Sequence, residues 1–443
     1  MPDTPLKQAP PLDISPRPSA CPGLWRIVAA RDGGICRIKL PGGVLSAAQA
    51  EAVADAAERF AGGVIEATNR ANLQIRGIGA EHPALIQHLL DAGLGPRHAA
   101  GDDVRNLMLS PLAGLDPQRV VDTRALAAQI LAMLEGTPAF HRLSAKFAVQ
   151  LDGGEALSML DHPHDLWLSA RLLEGEPWLV FGLAAAPGAG QALGAVRYEN
   201  GLALVREVLE RFLALARADQ SRMRHVLDTL PVDTFLQGLK LDIRRDPGAL
   251  AWRRSPARAH WLGVLPQSSG SALGAAPPLG RLTPTMLRGA ARIACEHGDG
   301  SLRLSPWQSL VLPSITAVQQ PAALAELAAL GLLCNAAEPL ARLSACTGAS
   351  GCAKGLAETK ADAVALAARL GAGAPASVHL TGCPRSCAMA HVAPVTLLAR
   401  APGRYDLYLR DPRVPGFGSL RGSDLTLNDA GAMLALPTEP LDD

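Results

Sequence analysis

The sequence predicts an α+β fold built by duplication, with two similar half-repeats and two α/β halves. Three observations predict it: an internal repeat, short strand-like segments that alternate with helical ones, and two pairs of closely spaced cysteines near the carboxyl-terminal end. The chain has 443 residues, of which 48% are hydrophobic, so it can form two or more domains with their own cores.

The bulk composition argues against several classes of function. A net charge of +1 provides no field that would attract nucleic acid or a membrane surface. No uncharged apolar run reaches about 18 residues, so we expect no membrane span. Residues 1–20 are rich in proline and lack the apolar segment of a signal peptide, so we expect a disordered arm. Eight cysteines without a secretory signal predict a reducing compartment, hence the cytoplasm.

The first half-repeat begins with an alternating strand pattern over residues 35–40. After a Pro-Gly-Gly turn, Ser46 is the expected N-cap of a helix that ends near Phe60, where two glycines follow. Residues 64–68 and 73–78 are then predicted to be strands of the same sheet.

The same order of elements returns in residues 282–315. The match to residues 45–78 has no gap, so that Leu45 corresponds to Leu282 and Ile75 to Leu312. A repeat of this kind predicts a duplicated architecture with a pseudo-twofold axis. Residues 251–280, rich in Arg, Pro, Ser and Gly, are predicted to be the linker into this second repeat.

The remaining segments are predicted to form α/β units. Their expected elements are strands over 143–152, 165–171 and 178–183, a helix over 203–218, and a hairpin of 395–399 with 405–409.

Four cysteines lie in two turns rich in Gly, Ser, Thr and Pro: Cys346, Cys352, Cys383 and Cys387. Such turns let backbone amides point at a shared guest. Four thiolates from two tight loops are the ligands of a 4Fe–4S cluster, and we predict one here. A helix over 356–370 would place its positive end near the cluster, and a strand over 377–381 would deliver the second pair.

Other uses of these cysteines were weighed. Disulfides are disfavoured in a chain without a secretory signal. Structural zinc sites usually separate paired cysteines by two to four residues, whereas five residues separate Cys346 from Cys352. The other cysteines are expected to be buried thiols, namely Cys21, Cys36, Cys295 and Cys334.

The repeats and the cysteine pattern together resemble the sulfite/nitrite reductase superfamily over about residues 20 to 410. The resemblance implies a duplicated sulfite/nitrite reductase-like α+β architecture: two ferredoxin-like half-repeats plus two α/β tetrapyrrole- and cluster-binding halves. It also implies sirohaem beside the 4Fe–4S cluster, with Cys387 bridging to the haem iron. The implied boundaries are a first half-repeat at 21–95, a tetrapyrrole-binding domain at 96–250, a second half-repeat at 251–325 and a cluster-binding domain at 326–443.

Three more segments resemble motifs of this superfamily that face the tetrapyrrole and the substrate. They begin at Thr68, Asp103 and Leu143. The resemblance implies that they supply tetrapyrrole- or substrate-binding residues, with Lys146 and Arg105 as catalytic groups. Cations suit this role because a uroporphyrin-type macrocycle carries up to eight carboxylates and Arg pairs with carboxylates in a bidentate manner. The implied binding residues are Arg70, Asn72, Arg105, Asn106 and Lys146.

Ala148 departs from the reductase pattern, because those enzymes usually carry a second lysine two residues after the first. Residues 20–24 and 33–42 instead resemble the precorrin-3B synthase family. That resemblance implies a monooxygenase-type oxidoreductase of aerobic cobalamin biosynthesis, which converts precorrin-3A to precorrin-3B by meso-carbon hydroxylation with dioxygen and γ-lactone formation. A sirohaem-dependent sulfite or nitrite reductase is the alternative, followed by a non-catalytic iron–sulfur electron carrier.

The resemblance also implies a mononuclear non-haem iron, for which histidine and carboxylate ligands are expected. The sequence contains candidate ligands of both types. For those near His162, an exposed polar turn without a metal is the alternative interpretation. His379 is expected in a sheet, His391 is not assigned to a metal, and Trp307 is expected to fill the core. No glycine-rich dinucleotide fingerprint is present, so electrons are expected from an external NAD(P)H-dependent donor. The candidate iron ligands are His141, Asp161, His162, His164 and Asp165.

Overall fold

The computed structural model describes residues 21–254, 261–371 and 375–435. It confirms the α+β class and the duplicated architecture, because these ranges contain four sheets of five strands each, flanked by helices. The arm predicted for residues 1–20 lies outside the described residues. None of the described helices is long and apolar enough to cross a membrane.

The strands of the described ranges are mostly three to seven residues long, and two reach ten. In chain order they are β1 (Val28–Ala30), β2 (Gly33–Ile38), β3 (Val44–Ser46), β4 (Val64–Ala67), β5 (Leu73–Ile78), β6 (Leu107–Leu109), β7 (Val149–Asp152), β8 (His164–Leu173), β9 (Glu176–Ala185), β10 (Gly194–Arg197), β11 (Gly263–Pro266), β12 (Ser271–Ala275), β13 (Arg281–Leu282), β14 (Ser301–Leu304), β15 (Leu310–Ile315), β16 (Leu343–Ala345), β17 (Val378–Thr381), β18 (Val395–Ala401), β19 (Arg404–Leu409) and β20 (Ser419–Leu425).

The α-helices alternate with these strands. They are α1 (Ala47–Phe60), α2 (His82–Asp91), α3 (Arg124–Gly136), α4 (Gly201–Leu215), α5 (Met223–Leu227), α6 (Val232–Gln237), α7 (Pro247–Leu250), α8 (Pro284–His297), α9 (Gln320–Ala329), α10 (Thr359–Ala367) and α11 (Leu427–Ala435).

The two half-repeats are joined by an exchange of edge strands. The first sheet has the order β1-β2-β5-β4-β13 and the second the order β11-β12-β15-β14-β3, so each sheet ends on a strand from the other repeat. Leu282 lies opposite Ile65, and Leu45 lies opposite Leu302. In the repeat, Leu45 corresponds to Leu282 and Ile65 corresponds to Leu302. The two pairings are therefore equivalent, as the predicted pseudo-twofold axis requires.

The equivalent helices α1 and α8 pack on each other and share one hydrophobic core with both sheets. Both have the caps that the sequence predicts. The Ser46 side chain accepts from the Gln49 amide, and the Gln49 side chain accepts from the Ser46 amide in return. The Thr283 hydroxyl accepts from the amide of Met286 at the start of α8. These bonds satisfy amides that have no partner within the helix.

The two α/β halves also share one topology. Their sheets have the orders β10-β9-β8-β7-β6 and β16-β17-β18-β19-β20. In each sheet three neighbouring strands are parallel and the other two continue antiparallel. The loops that follow parallel strands leave the sheet at one edge, which is where α/β sheets commonly bind ligands.

Two element predictions were wrong in detail. Residues 251–280, predicted as a linker, contain β11 and β12, which form the outer strands of the second sheet. These short segments contain Gly and Pro, so they carry little of the alternating pattern that identifies a strand. The strand predicted over 143–152 is confirmed only from Val149 onward.

Cysteine burial differs from the prediction as well. Cys36 is buried, whereas Cys295 in the last turn of α8 is exposed. Cys295 lies on the outer face of its helix, because the buried positions of α8 include its neighbours Ile293 and Ala294.

Candidate functional site

The four predicted cluster ligands line one cleft, which we call the cysteine cleft. Its empty space, open to solvent, is about 1800 Å³. Cys346 follows β16, and Cys383 and Cys387 follow β17. None of the four forms a disulfide. Burial raises the pKa of the Cys387 thiol, and the nearby thiols of the other three raise it further.

The spacing of the thiols differs from that of a zinc site. In the described part of the chain, no three of these sulfurs all lie within 4.8 Å of one another. A tetrahedral zinc ion with Zn–S bonds of about 2.3 Å would hold its sulfurs about 3.8 Å apart. The four thiols, as placed, are therefore too widely spaced for a zinc ion.

Backbone groups hold the turns around Cys346. The Gly382 amide donates to the Cys346 Sγ at 3.2 Å. The Thr359 hydroxyl at the start of α10 donates to the Cys346 carbonyl at 2.8 Å, so the helix begins beside the site. Gly348 has a φ of +85°, and a Cβ there would come within 3.0 Å of the Thr359 amide nitrogen. The turn therefore requires glycine at this position.

A buried ion network ties the cysteine turns to the first half-repeat. Arg76 donates to the Gly351 carbonyl at 3.0 Å and pairs with Asp32 at 2.8 Å. Glu66 accepts from the Thr347 hydroxyl and lies 3.8 Å from the Lys360 ammonium. Burial would raise the pKa of Glu66, but the surrounding cations lower it below its usual value.

A second cleft adjoins the first, and we call it the cationic cleft. Its empty space is about 1280 Å³, and Cys387 lies in the walls of both clefts. Asp165 is the one carboxylate in its lining, and it pairs with Arg222 at 2.9 Å. Positive charge therefore exceeds negative charge in this wall, whose cations are Arg37, Arg70, Lys146, Arg222, Arg224 and Arg385.

Arg70 is confined in this wall without a carboxylate partner among the described residues. Burial lowers its pKa to about 10, and repulsion from Arg222 and Arg37 contributes to the shift. The Thr68 hydroxyl holds the loop by accepting from the amides of Arg70 and Asn72. A buried cation of this kind favours an anionic ligand.

Three of the predicted binding residues do not line the cationic cleft. Arg105 is buried against Glu135 of α3, with Nε and Oε1 2.8 Å apart. Asn106 donates to the carbonyls of Asp103 and Ala145, and the Asn72 side chain accepts from the Leu40 amide. These three side chains thus make contacts within the protein, and ligand binding by them stays a prediction.

Lys146 lines the cationic cleft, and its role there stays a prediction. Ala148 lines the same wall, and among the described residues no second lysine lines it. The Ala148 amide donates to Asp165 at 2.9 Å, which fixes this strand against the next one.

The candidate iron ligands separate into two groups. His141 contacts the Glu135 carbonyl, His164 contacts the Met108 sulfur, and Asp165 is paired with Arg222. Burial lowers the pKa of His164 to about 3, so its ring is neutral. Asp161 and His162, by contrast, lie together beside the cationic cleft.

His391 joins Asp161 and His162, although the sequence analysis does not assign it to a metal. Suitable ligand atoms of the three residues all lie within 4.8 Å of one another. His391 is four residues beyond Cys387, in the loop after β17, whereas Asp161 and His162 precede β8. Its position after a cysteine ligand was the one available signal. His379 lies in β17 as predicted and is buried.

Trp307 is half-buried in the wall of a third cleft, which we call the tryptophan cleft. It stacks on Trp261 with ring centroids 5.1 Å apart and presents an edge to His162 at 6.2 Å. His162 and His391 also line this cleft. The prediction that Trp307 fills the core was therefore incomplete.

Comparisons with known proteins identify related sequences and a related fold. Residues 29–92 and 265–330 match the description "Nitrite/Sulfite reductase ferredoxin-like half domain", and residues 100–245 match "Nitrite and sulphite reductase 4Fe-4S domain". The chain is 32% identical over 392 residues to a chloroplastic ferredoxin–nitrite reductase of Zea mays, covering 81% of this chain and 68% of that one.

Two other relatives and one solved structure are also similar to this chain. The chain is 30% identical to a ferredoxin–nitrite reductase of Synechococcus elongatus, covering 82% of this chain and 76% of that one. It is 28% identical to sulfite reductase [ferredoxin] 2 of Mycolicibacterium paratuberculosis, covering 82% and 69%. The solved structure of the Mycobacterium tuberculosis NirA protein shares the fold, with a TM-score of 0.72 at 23% identity over 90% of this chain and 79% of that one.

Proposed function

The chain belongs to the nitrite and sulfite reductase family of oxidoreductases, and from this premise we propose that it acts on a many-carboxylate tetrapyrrole held beside an iron–sulfur cluster. The tetrapyrrole occupies the cationic cleft, and the 4Fe–4S cluster is held by Cys346, Cys352, Cys383 and Cys387. Support comes from the position of Cys387 in the walls of both clefts. Electrons can then pass between the two groups over a short distance.

The residues of the cationic cleft fit such a ligand. Six cations face the cleft, and within the described residues Arg222 is the one of them that is ion-paired to a carboxylate. A macrocycle with up to eight carboxylates would supply the missing counter-charges through charge-assisted hydrogen bonds. The positioned cations then fix the orientation of the ring.

We propose that the tetrapyrrole is the substrate and that the protein is a precorrin-3B synthase. Precorrin-3A would be hydroxylated at a meso carbon with dioxygen, and an acetate side chain would close the γ-lactone. The observation that carries this choice is the wall at Lys146, where Ala148 lines the cleft instead of a second lysine. Reduction of a small oxyanion by six electrons consumes many protons, and this wall offers one ammonium for their delivery.

The proposed reaction needs a mononuclear non-haem iron, because a cluster with four cysteine ligands leaves dioxygen no open position, and such an iron supplies dioxygen activation when bound. One oxygen atom enters the product and the other leaves as water, which takes two electrons and two protons. The role proposed for Lys146 is to deliver a proton at the cleft wall.

The immediate electron donor is proposed to be a small reduced carrier. The names of the relatives from Zea mays and Synechococcus elongatus give ferredoxin as the donor for those proteins. An NAD(P)H-dependent enzyme would then reduce the carrier, rather than bind this chain.

The second candidate function is a sirohaem-dependent nitrite or sulfite reductase. The identity of 30 to 32% with ferredoxin–nitrite reductases favours it. Cys387 at the cationic cleft could bridge to a haem iron, and Arg70 and Lys146 would then bind the oxyanion. A non-catalytic electron carrier is disfavoured, because electron transfer alone requires neither the cationic cleft nor its unpaired cations.

One experiment separates these functions. The protein is purified without oxygen, its tetrapyrrole is extracted with acidic acetone, and its turnover is measured with precorrin-3A plus dioxygen and with nitrite or sulfite. The proposal predicts no stoichiometric sirohaem and one dioxygen consumed per precorrin-3A. Stoichiometric sirohaem together with nitrite or sulfite reduction would establish the second candidate instead.

A further inference from the structure

We propose that Asp161, His162 and His391 bind a single divalent transition-metal ion. Two imidazoles and one carboxylate are the ligand set that holds ferrous iron on one face and leaves its other positions open. The assignment of ferrous iron rests on the proposed function, whereas the binding of an ion depends only on these three side chains.

The distances in the group match that geometry. The Nδ1 of His162 lies 3.0 Å from Oδ1 of Asp161, and the Nε2 of His391 lies 3.5 Å from Oδ2. The two imidazole centroids are 5.1 Å apart, with the rings nearly perpendicular. For metal–ligand bonds of about 2.1 Å, ligand atoms at right angles lie about 3 Å apart. Small rotations of the side chains are thus sufficient to coordinate one ion.

The three residues come from both α/β halves. Asp161 and His162 end the loop before β8, and His391 lies in the loop between β17 and β18. A simple ion-paired contact between the halves is the alternative role. His391 argues for a ligand, because its Nε2 faces Oδ2 of Asp161 at 3.5 Å. This separation is longer than a direct hydrogen bond and is compatible with two ligand atoms of one ion.

The location gives such an ion access to two clefts. His162 lies in the wall of both the cationic cleft and the tryptophan cleft, and His391 lines the tryptophan cleft. A small apolar molecule such as dioxygen can approach along the stacked Trp261 and Trp307, while the macrocycle lies on the other side. The open positions of the ion would then face both reactants.

A second group with similar spacing serves as a control. Glu296, His297 and Glu326 also have ligand atoms within 4.8 Å of one another. There, however, Arg292 already pairs with both glutamates, at 2.7 Å from Glu326. The positive guanidinium occupies the place of a cation, so this surface group should not bind an ion tightly.

Manganese(II) is a suitable probe, because its electron paramagnetic resonance signal distinguishes free from bound ion. Holoprotein with its cluster is stripped of loosely bound metal and titrated anaerobically with Mn(II), and acid-labile sulfide is measured in parallel. The expected result is one tight equivalent in the wild type and in His297→Ala. His391→Ala and Asp161→Asn should each weaken binding at least tenfold with unchanged sulfide.

A wild-type protein without a tight equivalent, or unchanged binding in His391→Ala, would overturn the inference. If His391→Ala loses sulfide because it lies close to Cys387, Asp161→Asn decides, since Asp161 belongs to the other half. A second readout is the electron paramagnetic resonance signal of the complex between bound ferrous ion and nitric oxide. This signal should be absent in His391→Ala and in Asp161→Asn. A protein that binds one ion at these residues but does not convert precorrin-3A would contradict the proposed function and leave the metal site intact.

Discussion

At the scale of single residues, two arginines that the same resemblance predicts behave differently. Arg70 lacks a carboxylate partner in the described part of the chain and is repelled by neighbouring arginines. Arg105 has a buried partner in Glu135. Local sequence cannot separate the two, because Glu135 belongs to a helix 30 residues away, and its approach depends on tertiary packing.

We expect Arg70→Met to weaken binding of a uroporphyrin-type tetrapyrrole at least tenfold without lowering the stability of the ligand-free protein. The methionine removes an unpaired buried cation and keeps most of the side-chain volume. Equilibrium denaturation and a fluorescence titration measure the two quantities. A loss of stability as large as the loss of binding would show that Arg70 is structural.

Arg105→Met is the matched comparison and should do the reverse. It leaves the buried Glu135 with the exposed Arg97, 3.9 Å away, in place of its buried partner. Loss of one partner from a buried ion pair costs about 3–5 kcal/mol of unfolding free energy. Tetrapyrrole affinity of the folded fraction should change little, because Arg105 does not line the cationic cleft. A large affinity loss with normal stability would return Arg105 to the binding site.

His391 shows the limit of prediction for the site. The gathering of four cysteines at one cleft could be predicted, because each pair is local and lies in a turn that contains Gly. The contact of His391 with Asp161 joins residues far apart in the sequence, from opposite α/β halves, so no local pattern could reveal it.

At the scale of elements, the proposed cluster would connect turns that follow two neighbouring strands. Two of the thiols follow β17 and one follows β16, and few hydrophobic contacts hold the loops between them. If the four cysteines hold the proposed cluster, ligation contributes to the folding of these turns.

We expect the Cys383→Ser variant to lose most of its iron and acid-labile sulfide. We also expect proteases to cleave the chain of this variant in the segment that follows Cys346. Cys295→Ser, an exposed cysteine outside the site, should retain both.

The strands and helices of the half-repeats could be predicted because amphipathic patterns and caps mark them. Strands β11 and β12 could not, since they contain glycine and proline and are defined by pairing, β11 with β12 and β12 with β15. The helix predicted from residue 356 begins at Thr359, where the chain turns around Cys346.

At the scale of the whole molecule, the same turn occurs in both half-repeats, at residues 68–72 and 305–309, but the two copies carry different side chains. The Thr68 amide donates to the Asn72 carbonyl at 2.9 Å, and the equivalent Ser305 amide donates to the Ser309 carbonyl at 2.9 Å. Between these residues, the position of Arg70 in the first repeat is occupied by Trp307 in the second. The two-fold frame thus supplies a cation on one side of the site and an aromatic wall on the other.

The asymmetry predicts separate effects for the two positions. Trp307→Leu should leave tetrapyrrole affinity within about threefold, because Trp307 faces the tryptophan cleft and not the cationic one. It should change the fluorescence of the protein and, under the proposed function, slow turnover at low dioxygen by altering the approach to His162. Turnover unaffected at every dioxygen concentration would exclude this route.

Titration of the anaerobic holoprotein with uroporphyrin III measures whether a many-carboxylate macrocycle binds beside the cluster in the cationic cleft. We expect one equivalent to bind, with an affinity that falls as salt rises and is at least tenfold lower in Arg70→Met. Absence of saturable binding, or equal affinity in the wild type and Arg70→Met, would show that the cationic cleft does not hold such a ligand.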